Sequence, residues 1–343
     1  MSAPHAPPVP TLFAPSAVWR ECAHHRETLR NPWYAAVAEL QDVFFRATVD
    51  FWSRRGGRTL FLPITTGSIS SPMGLGSDST PVSVDLFGVE TYLADSMQFA
   101  LEYGCRLTGR DCYYVMPSFR GDATDETHLA QFFHSEAEIS GTLEDVMLVV
   151  QDYLIHVAGA LLEDTSDLFV KMGSDLQNLE CLAGGACFRA LSFDEAAALA
   201  GPDEIRVEAG WRTLTRVGER RVIDAVGEFT WVTHWDHLAV PFYQAFDDAE
   251  MRRARNADLL FGVGEVAGAG ERHKEAAAVA AALDHHGVSA DSYAWYSEIR
   301  ELLPLQTAGF GLGIERFLSG LVSHHDVRDF QLLPRENGRS INP

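Results

Sequence analysis

Apolar residues recur at helical spacing in three long stretches of the chain. Between Trp33 and Phe51 they lie three or four positions apart, until Arg54-Arg-Gly-Gly57 ends the pattern. This spacing predicts one long amphipathic helix, because every third or fourth residue falls on the same helix face. Residues 143–162 and 271–287 show helical spacing and composition as well, and they are also predicted to be helical.

Strand-type runs alternate with these helical stretches. Short apolar runs at 59–63, 113–116, 229–233 and around 259–265 predict strands, and residues 82–93 predict a hairpin. Hairpins and helices alternate without the regular β-α-β order of a doubly wound sheet. We therefore predict an α+β fold in which an antiparallel sheet is flanked by helices.

Composition changes near the amino terminus and in two internal segments. Residues 1–29, rich in proline near the start, predict a flexible leader, and residues 30–343 predict one domain. Within that domain, residues 165–228 mix short helical runs with charged turns and predict an inserted segment. The Gly- and Ser-rich residues 66–80 predict a mobile lid.

The 343 residues include 48 acidic and 27 basic side chains, which gives a net charge of −21. Large nucleic acids are therefore disfavoured as ligands, because a negative surface repels a phosphate backbone.

Five cysteines without a C-x-x-C pair predict neither a disulfide framework nor a zinc knuckle, which fits a reducing cytoplasm. The sequence contains no run of about 20 apolar residues, so no membrane-spanning segment is predicted. The histidine pairs at 24–25, 285–286 and 324–325 are predicted to be exposed helix ends rather than metal ligands.

Glycines at every second position mark the segment Gly309-Phe-Gly-Leu-Gly-Ile-Glu315-Arg316. Glycine leaves no side chain to block a close approach of the backbone, and arginine binds phosphate oxygens with its planar guanidinium. The segment therefore indicates a polyphosphate site, although glycine-rich turns also enter helices for packing reasons alone.

A second arginine precedes a strand that carries an aromatic ring and carboxylates. Phe119-Arg120-Gly-Asp122 leads through a polar loop to residues 132–138, where Phe132, Glu136 and Glu138 fall on alternate positions. Side chains at alternate positions of a strand share one face. An aromatic ring beside an arginine suits a nucleotide, because the ring stacks on the base while the guanidinium binds phosphate. A salt-bridged hairpin with a buried phenylalanine would show the same pattern.

These segments resemble, in the same order, the three motifs of class II aminoacyl-tRNA synthetases. The helix before Pro63 resembles motif 1, the run from Arg120 to Glu136 resembles motif 2, and Gly309 to Arg316 resembles motif 3. The resemblance covers about residues 30–335 and implies a class II synthetase-like catalytic domain. It also implies a homodimer, because motif 1 builds the dimer interface in this family.

Within the class, the chain resembles the aspartyl and asparaginyl branch. Ser96-Met-Gln98 is similar to its substrate-binding Ser-x-Gln, and Gly264-Glu265-Val-Ala-Gly-Ala-Gly-Glu-Arg272 is similar to its Gly-Glu...Arg segment. The chain is also similar to the asparagine synthetases related to asparaginyl-tRNA synthetase. Those enzymes lack the anticodon-binding barrel that tRNA-charging members carry before motif 1, and this sequence has only a short leader there.

The resemblance implies an ATP site. Arg120 is expected to bind the α-phosphate, Phe132 to stack on adenine, and Asp122 to lie near the adenine amino group. His128 and Arg316 are expected to hold the outer phosphates, so that Arg120 and Arg316 are the implied catalytic residues. The complete implied set is Arg120, Asp122, His128, Phe132, Glu265, Gly311, Gly313 and Arg316.

The resemblance also implies an amino-acid site. Ser96 belongs to the substrate-binding motif, and Gln98 and Glu136 are expected to receive an ammonium group. Arg272 is expected to hold a side-chain carboxylate or amide oxygen. Glu102, expected close to Arg272, would accept an amide N–H and repel a second carboxylate, which suits asparagine or another uncharged polar side chain.

ATP and Mg²⁺ are the implied cofactors, with Glu265 as the implied metal ligand. The chain departs from the aspartate-type pattern at Leu101, where aspartate-specific members have a lysine. It also carries Ser71 in place of the lid glutamate and Thr127 in place of a loop arginine. Fewer ammonium ligands indicate an altered substrate.

The expected function is that of a cytoplasmic, ATP-dependent, AMP-forming ligase with no membrane partner. It would adenylate an aspartate- or asparagine-like amino acid and transfer the acyl group to ammonia or a small amine, as an asparagine synthetase-like enzyme. tRNA is disfavoured as the acceptor. The alternatives are transfer to tRNA or to a carrier protein, and a catalytically silent paralogue that binds an amino acid and regulates a partner.

Overall fold

The structure is a computed structural model that describes residues 10–15, 24–70, 80–185, 188–336 and 338. Much of the predicted leader and residues 71–79 of the predicted lid, including Ser71, lie outside the described residues. The strands are β1 (Arg58–Thr59), β2 (Thr65–Thr66), β3 (Val82–Leu86), β4 (Val89–Leu93), β5 (Cys112–Phe119), β6 (Gln131–Ser140), β7 (Arg189–Ser192), β8 (Ile205–Glu208), β9 (Trp211–Leu214), β10 (Thr230–Thr233), β11 (Asn256–Phe261), β12 (Gly264–Glu271) and β13 (Thr307–Gly313).

Eight of these strands form one sheet in the order β1-β5-β6-β13-β12-β11-β10-β7. The six central strands pair antiparallel with their neighbours, whereas β1 and β7 pair in parallel with β5 and β10 at the two edges. Two small sheets, β2-β4-β3 and β8-β9, complete the strand structure described. The predicted sheet flanked by helices is confirmed, and its parallel edges were not expected from the sequence.

The helices lie along both halves of the chain. They are α1 (His24–Arg30), α2 (Pro32–Arg55), α3 (Gln98–Thr108), α4 (Leu143–Met172), α5 (Gln177–Ala183), α6 (Phe193–Ala200), α7 (Arg216–Val226), α8 (Ala276–His285), α9 (Ala294–Leu302) and α10 (Ile314–Val322).

Helix α2 begins and ends for local reasons that the sequence contains. The side chain of Asn31 accepts a hydrogen bond from the backbone N–H of Trp33, and Pro32 occupies the first helical turn. Gly56 ends the helix at φ 73°, in the left-handed region that glycine adopts without strain. The predicted helix from Trp33 to Phe51 is therefore confirmed.

Helix α4 is longer than predicted and forms the centre of the core. Thr142 and Asp145 make a capping box at its start, and Gly173 ends it at φ 101°. Its length and composition alone would allow it to cross a membrane. Its apolar residues, among them Val150 and Leu154, instead belong to the buried cluster between α2 and the main sheet.

Several other predicted boundaries differ from the structure. The strand predicted over 59–63 is only β1, Arg58–Thr59. Strand β12 continues to Glu271 because it pairs with β13, so helix α8 begins at Ala276 and not near residue 271. The run around 259–265 contains the end of β11, the hairpin turn with Gly262 at φ 60°, and the start of β12. The segment 165–228 is not wholly inserted, because its residues continue α4 and add β7 to the main sheet.

One histidine pair is not an exposed helix end. His286 is 6% exposed, and its Nε2 lies 2.9 Å from Nδ1 of His237. His237 in turn contacts the backbone oxygen of Gln244 at 2.8 Å through Nε2. Helix α8 places His286 toward the interior, which its helix-end position in the sequence did not indicate.

Candidate functional site

Strand β6 separates the core of the protein from an open polar face. Ser135, Ala137 and Ile139 are buried toward α4, where Ser135 Oγ lies 2.8 Å from the hydroxyl of Tyr153. The alternating residues point the other way, because side chains alternate across a strand. The residues on that second face are Phe132, His134, Glu136 and Glu138.

The glycines of β13 make room for the carboxylates of β6. Gly309 pairs with Glu138, and Gly311 pairs with Glu136. A Cβ at Gly309 would collide with Oε2 of Glu138 and would lie 2.7 Å from the carbonyl oxygen of Ala137. A Cβ at Gly311 would lie 2.8 Å from Oε1 of Glu136. The glycine spacing therefore has a packing reason in addition to the phosphate approach predicted for Gly311 and Gly313.

The two arginines singled out in the sequence lie on the same side of the sheet. The guanidinium of Arg120 lies 5.4 Å from the centroid of the Phe132 ring. Its buried Nε has no hydrogen-bond partner among the described residues, and none of them forms an ion pair with it. Burial lowers the pKa of Arg316, and the positive charge of Arg120 lowers it further. A buried cationic nitrogen without a partner is costly, which favours an anionic ligand here.

Arg316 forms hydrogen bonds to both the loop after β5 and strand β12. Its Nη1 donates to the backbone oxygen of Glu265 at 2.7 Å, and its Nε and Nη2 donate to the backbone oxygen of Thr127 at 3.2 and 3.1 Å. A guanidinium has five N–H donors, so further N–H groups stay available to a ligand. The prediction that segments around 120 and 316 converge therefore agrees with the geometry.

The same loop positions Asp122 and His128. Oδ1 of Asp122 accepts hydrogen bonds from the N–H and the hydroxyl of Thr80 at 3.1 and 2.5 Å. Nδ1 of His128 lies 3.0 Å from Oδ1 of Asp125, whose Oδ2 accepts from Arg216 at 2.8 Å. The roles expected for Asp122 and His128 stay predictions.

Acidic side chains surround Glu265. Burial raises the pKa of Asp258 well above its usual value, and the charges of Glu265 and Glu219 raise it further. A Cβ at Gly268 would lie 3.0 Å from Oε1 of Glu265 and 3.6 Å from Oδ1 of Asp258. Carboxylate oxygens are the ligand type that Mg²⁺ prefers. The described residues contain no group of three or more His, Cys, Asp or Glu side chains placed to hold a metal ion, so the metal role of Glu265 stays a prediction.

Glu136 lies at the base of the predicted ammonium site. Its Oε2 accepts a hydrogen bond from Ser96 Oγ at 2.6 Å and a short one from the hydroxyl of Tyr114. Burial, together with the nearby carboxyl of Asp95, raises the pKa of Glu136 to about 8. Oδ1 of Asp95 accepts from the N–H of Ser96 at 2.9 Å. Two carboxyl groups at one end of the pocket favour a cationic ligand group.

Arg272 lies beneath the other end of the pocket with three partners. It donates to Oε2 of Glu138 at 3.0 Å, to Oε1 of Gln98 at 2.9 Å and to Oε1 of Gln244 at 3.1 Å. Arg272 and Glu138 are 1% and 0% exposed. Gln98 thus turns its carbonyl oxygen toward Arg272, and its predicted contact with an ammonium group is not tested.

Glu102 lies near Arg272, as expected: against the effect of burial, the charges of Glu138 and of Glu102 both raise the pKa of that arginine. The carboxylate of Glu102 is bound elsewhere, since its Oε2 accepts from Arg300 at 2.7 Å and its Oε1 from the hydroxyl of Tyr296. Glu138, and not Glu102, forms the ion pair with Arg272. The contact of Glu102 with a substrate amide stays a prediction.

Sequence reasoning missed four acidic residues of the site, of which Asp95 directly precedes the Ser-x-Gln segment. Glu138 had a signal, because it shares the strand face of Phe132 and Glu136, but it received no role. Asp258 could have been found once β11 and β12 were read as a hairpin, which pairs it with Gly268. Glu219 lies on α7 in the supposed insertion and had no signal in the sequence.

Comparisons with known proteins agree with this geometry. The profile of the family described as tRNA synthetases class II (D, K and N) matches residues 23–337. The asparagine–tRNA ligase of Koribacter versatilis is 26% identical over an alignment of 316 residues that covers 89% of this chain and 70% of that protein. The asparagine–tRNA ligase of Psychromonas ingrahamii is 28% identical over an alignment of 346 residues that covers 93% of this chain and 73% of that protein.

The fold also matches a solved structure. Asparaginyl-tRNA synthetase from Pyrococcus horikoshii, complexed with asparaginyl-adenylate, superposes with a TM-score of 0.83 at 22% sequence identity. The match covers 94% of this chain and 74% of that one. The likeness confirms the predicted fold class.

Proposed function

Because the chain belongs to the class II tRNA synthetases (D, K and N), we propose that it activates an amide-bearing amino acid, asparagine or a close analogue, as its adenylate. Members of this family are ATP-dependent ligases, so the chain is an ATP-dependent ligase that adenylates an amino acid. The amide-bearing side chain is the finer part of the proposal. One observation carries it, the buried pair of Arg272 and Glu138.

The pair favours a neutral amide over a carboxylate. A guanidinium N–H can donate to an amide oxygen, and a carboxylate oxygen can accept from an amide N–H. A second carboxylate would meet the negative charge of Glu138 and lose affinity. Arg272 and Glu138 thus supply one donor and one acceptor for the two ends of a carboxamide.

The nucleotide would lie along the open face of β6. Phe132 would stack on the adenine near Asp122, Arg120 would bind the α-phosphate, and Arg316 with His128 would bind the outer phosphates. The unpaired Nε of Arg120 supports this assignment. The α-carboxylate attacks the α-phosphorus, a P–O bond forms, and the bond to pyrophosphate breaks. That step needs neutralised phosphate charge and fixed geometry, which two guanidinium groups supply.

Class II synthetases use ATP and Mg²⁺, and Glu265 with Asp258 would hold the metal ion. Bound there, the ion would neutralise charge on the phosphates. The closeness of the two carboxylates, which both lie near Gly268, supports the assignment. Glu219 is near enough to raise the pKa of Asp258, so it adds to the negative potential that attracts the cation.

The proposed acyl acceptor is tRNA. Both sequence relatives described above are named asparagine–tRNA ligases, which supports transfer to tRNA over transfer to ammonia. The expectation that tRNA is disfavoured is therefore not supported by the relatives. Ammonia or a small amine is the second candidate, and the net charge of −21 favours it.

Pyrophosphate exchange with each amino acid tests the first half of the proposal. Exchange should be fastest with asparagine and at least tenfold slower with aspartate.

A second experiment tests the acceptor. It offers total tRNA and ammonium chloride in separate arms, and AMP and the acyl product are measured in each. Labelled tRNA would support the tRNA proposal, and free amide product would support the amine. Absence of exchange with every amino acid would instead favour a silent, regulatory paralogue.

We also propose a cytoplasmic homodimer. Phe45 and Val49 are 50% and 40% exposed on the outer side of α2, and Phe61, after β1, is fully exposed. Apolar side chains on a motif 1 helix and the following segment support a dimer interface. Sedimentation equilibrium should give twice the 37.8 kDa chain mass, and Phe61→Asp should shift the protein toward the monomer. A monomeric wild-type protein at micromolar concentration would contradict the dimer.

A further inference from the structure

His134 lies midway along the face of β6 that the proposed function assigns to the adenylate. It is two residues from Phe132 and two from Glu136, which are about 7 Å away at the usual strand rise. The ring of His134 makes an edge contact with that of Phe132 at a centroid distance of 4.7 Å. An adenylate with adenine on Phe132 and its ammonium group at Glu136 would have its acyl-phosphate bond at His134.

Opposite His134 the neighbouring strand leaves space. Gly313 of β13 pairs with His134, and a Cβ placed at Gly313 would meet no other atom closer than 3.9 Å. The side chain of His134 keeps 14% of its surface exposed. A reacting group can therefore approach the imidazole from the open face of the sheet.

One ring nitrogen of His134 is held and the other is not. Nδ1 lies 2.9 Å from Oγ of Ser118 and 3.1 Å from Oε1 of Glu136. Both neighbours are oxygens that can accept a hydrogen bond from Nδ1–H, and the base role takes the tautomer with its proton on Nδ1. No described residue forms a hydrogen bond with Nε2. This leaves Nε2 as an oriented base, positioned in the way that an acidic residue orients a catalytic histidine.

The charges around the ring keep it neutral in the free enzyme. Burial, together with the positive charges of Arg120 and Arg316, lowers the pKa of His134 to about 3. Glu136 on the same strand and Ser118 on β5 are its other polar neighbours. An anionic phosphate bound by the two arginines would compensate their charge and raise the proton affinity of Nε2. The base would therefore become stronger once the adenylate has formed.

We propose that His134 is the general base of the acyl-transfer step, which takes a proton from the incoming acceptor at Nε2. This rests on the proposed function, since it needs an enzyme-bound adenylate. The acceptor oxygen or nitrogen forms a bond to the acyl carbon, and the bond from that carbon to the AMP phosphate oxygen breaks. The acceptor proton passes to Nε2 and is then released to solvent. AMP departs with the electron pair of the broken bond, so atoms and charge balance.

The test uses single-turnover decay of the asparaginyl-adenylate formed by the full-length enzyme. His134→Gln should slow transfer about 100-fold or more, the usual size of a general-base effect, with total tRNA or with ammonium chloride as the acceptor. Pyrophosphate exchange should fall by less than tenfold. The exposed His325 supplies the control, and His325→Gln should behave as the wild type in both assays.

Hydroxylamine separates proton removal from mere positioning of Glu136. Its nitrogen is unprotonated at neutral pH and attacks with little need for a base, so His134→Gln should slow its reaction less than threefold. The pH profile of wild-type transfer should show a titrating base that the variant lacks. Equal slowing with hydroxylamine and with the other acceptors, or wild-type transfer by the variant, would overturn the base role. A wild-type enzyme that forms no adenylate would overturn the proposed function itself, and the base role with it.

Discussion

The pairing of Arg272 with Glu138 shows how single residues set the chemistry of this pocket. Each is almost fully buried, and each would be costly to leave alone, because an unpaired buried charge has lost its water. Their opposite charges nearly cancel, while Arg272 still offers a hydrogen-bond donor and Glu138 a hydrogen-bond acceptor. Gln98 and Gln244 take up further N–H groups of Arg272 and hold its plane in place.

We predict that Glu138→Gln reduces discrimination between asparagine and aspartate. The variant keeps the shape of the side chain but loses the negative charge that repels aspartate. A charge-assisted hydrogen bond contributes about 1.5–3 kcal/mol, so the ratio of asparagine to aspartate in pyrophosphate exchange should fall about tenfold or more. Glu301→Gln, on the exposed side of α9, is the control and should leave the ratio as it is. An unchanged ratio in Glu138→Gln would remove the basis of the amide assignment.

At the scale of elements, strand β13 shows why the glycine repeat cannot be varied freely. Gly309 is next to the backbone oxygen of Ala137 and to Nη2 of Arg272, each 2.7 Å from the position of a Cβ. Those atoms belong to a paired strand and to a fixed guanidinium, so they cannot move aside easily. Gly313, by contrast, has room for a methyl group.

Gly309→Ala should therefore destabilise the protein, whereas Gly313→Ala should be tolerated. Overpacking of this kind costs about 1–3 kcal/mol, and in Gly309→Ala it should also disturb the ion pair of Arg272. The free energy of unfolding, measured in urea for both variants, checks the difference. Equal stability of the two variants would contradict the account of the β13 glycines.

Elements with strong local signals could be predicted from the sequence. Helix α2 was predictable because its apolar spacing, its start at Asn31-Pro32 and its end at Gly56 all agree. The β11–β12 hairpin was not, since the turn at Gly262 lies inside one apolar run and gives no break in hydrophobicity. The start of α8 was misplaced because strand pairing with β13 extends β12, and such pairing has no local signal.

The site residues also divide into those with a local sequence signal and those placed by contacts between distant segments. Arg120, Phe132 and Glu136 were predictable because they lie on one strand-loop-strand unit with a fixed period. Glu219 reaches the site from α7, far along the chain, and only the folded structure brings it near Glu265. The ion pair of Glu102 was not predicted, because its spacing from Gln98 does not reveal that α9 presents Arg300 to it.

At the scale of the whole molecule, Glu315 joins three distant parts of the chain. Its carboxylate accepts a hydrogen bond from the N–H of Phe133 on β6 at 3.1 Å and one from Nε2 of Gln331 at 2.8 Å. The carboxy-terminal segment also packs on α2, since Trp33 Nε1 donates to the backbone oxygen of Asp329 at 2.9 Å. The buried carboxylate of Glu315 therefore links the motif 3 helix to strand β6 and to the carboxy-terminal segment.

Glu315 should make stability fall between about pH 4.5 and 7. Burial raises its pKa to about 7 from an ordinary value of 4.5, so its contribution is full below pH 4.5, is lost as pH rises toward 7, and changes little above that. Within this window the loss is about 1.4 kcal/mol per pH unit. The free energy of unfolding of Glu315→Gln should show a shallower fall over this range than that of the wild type. Identical slopes would contradict the raised pKa.

The central claim is that guanidinium groups from two distant segments bind one triphosphate. Pyrophosphate exchange with asparagine, measured for Arg120→Ala, Arg316→Ala and the double variant, tests it most directly. Each single variant should lose about 100-fold or more in exchange rate, and the double variant should lose less than the product of the two, because residues that share one ligand are coupled. Arg110→Ala, an exposed arginine, should exchange as the wild type does. Normal exchange by Arg120→Ala or by Arg316→Ala would contradict the account.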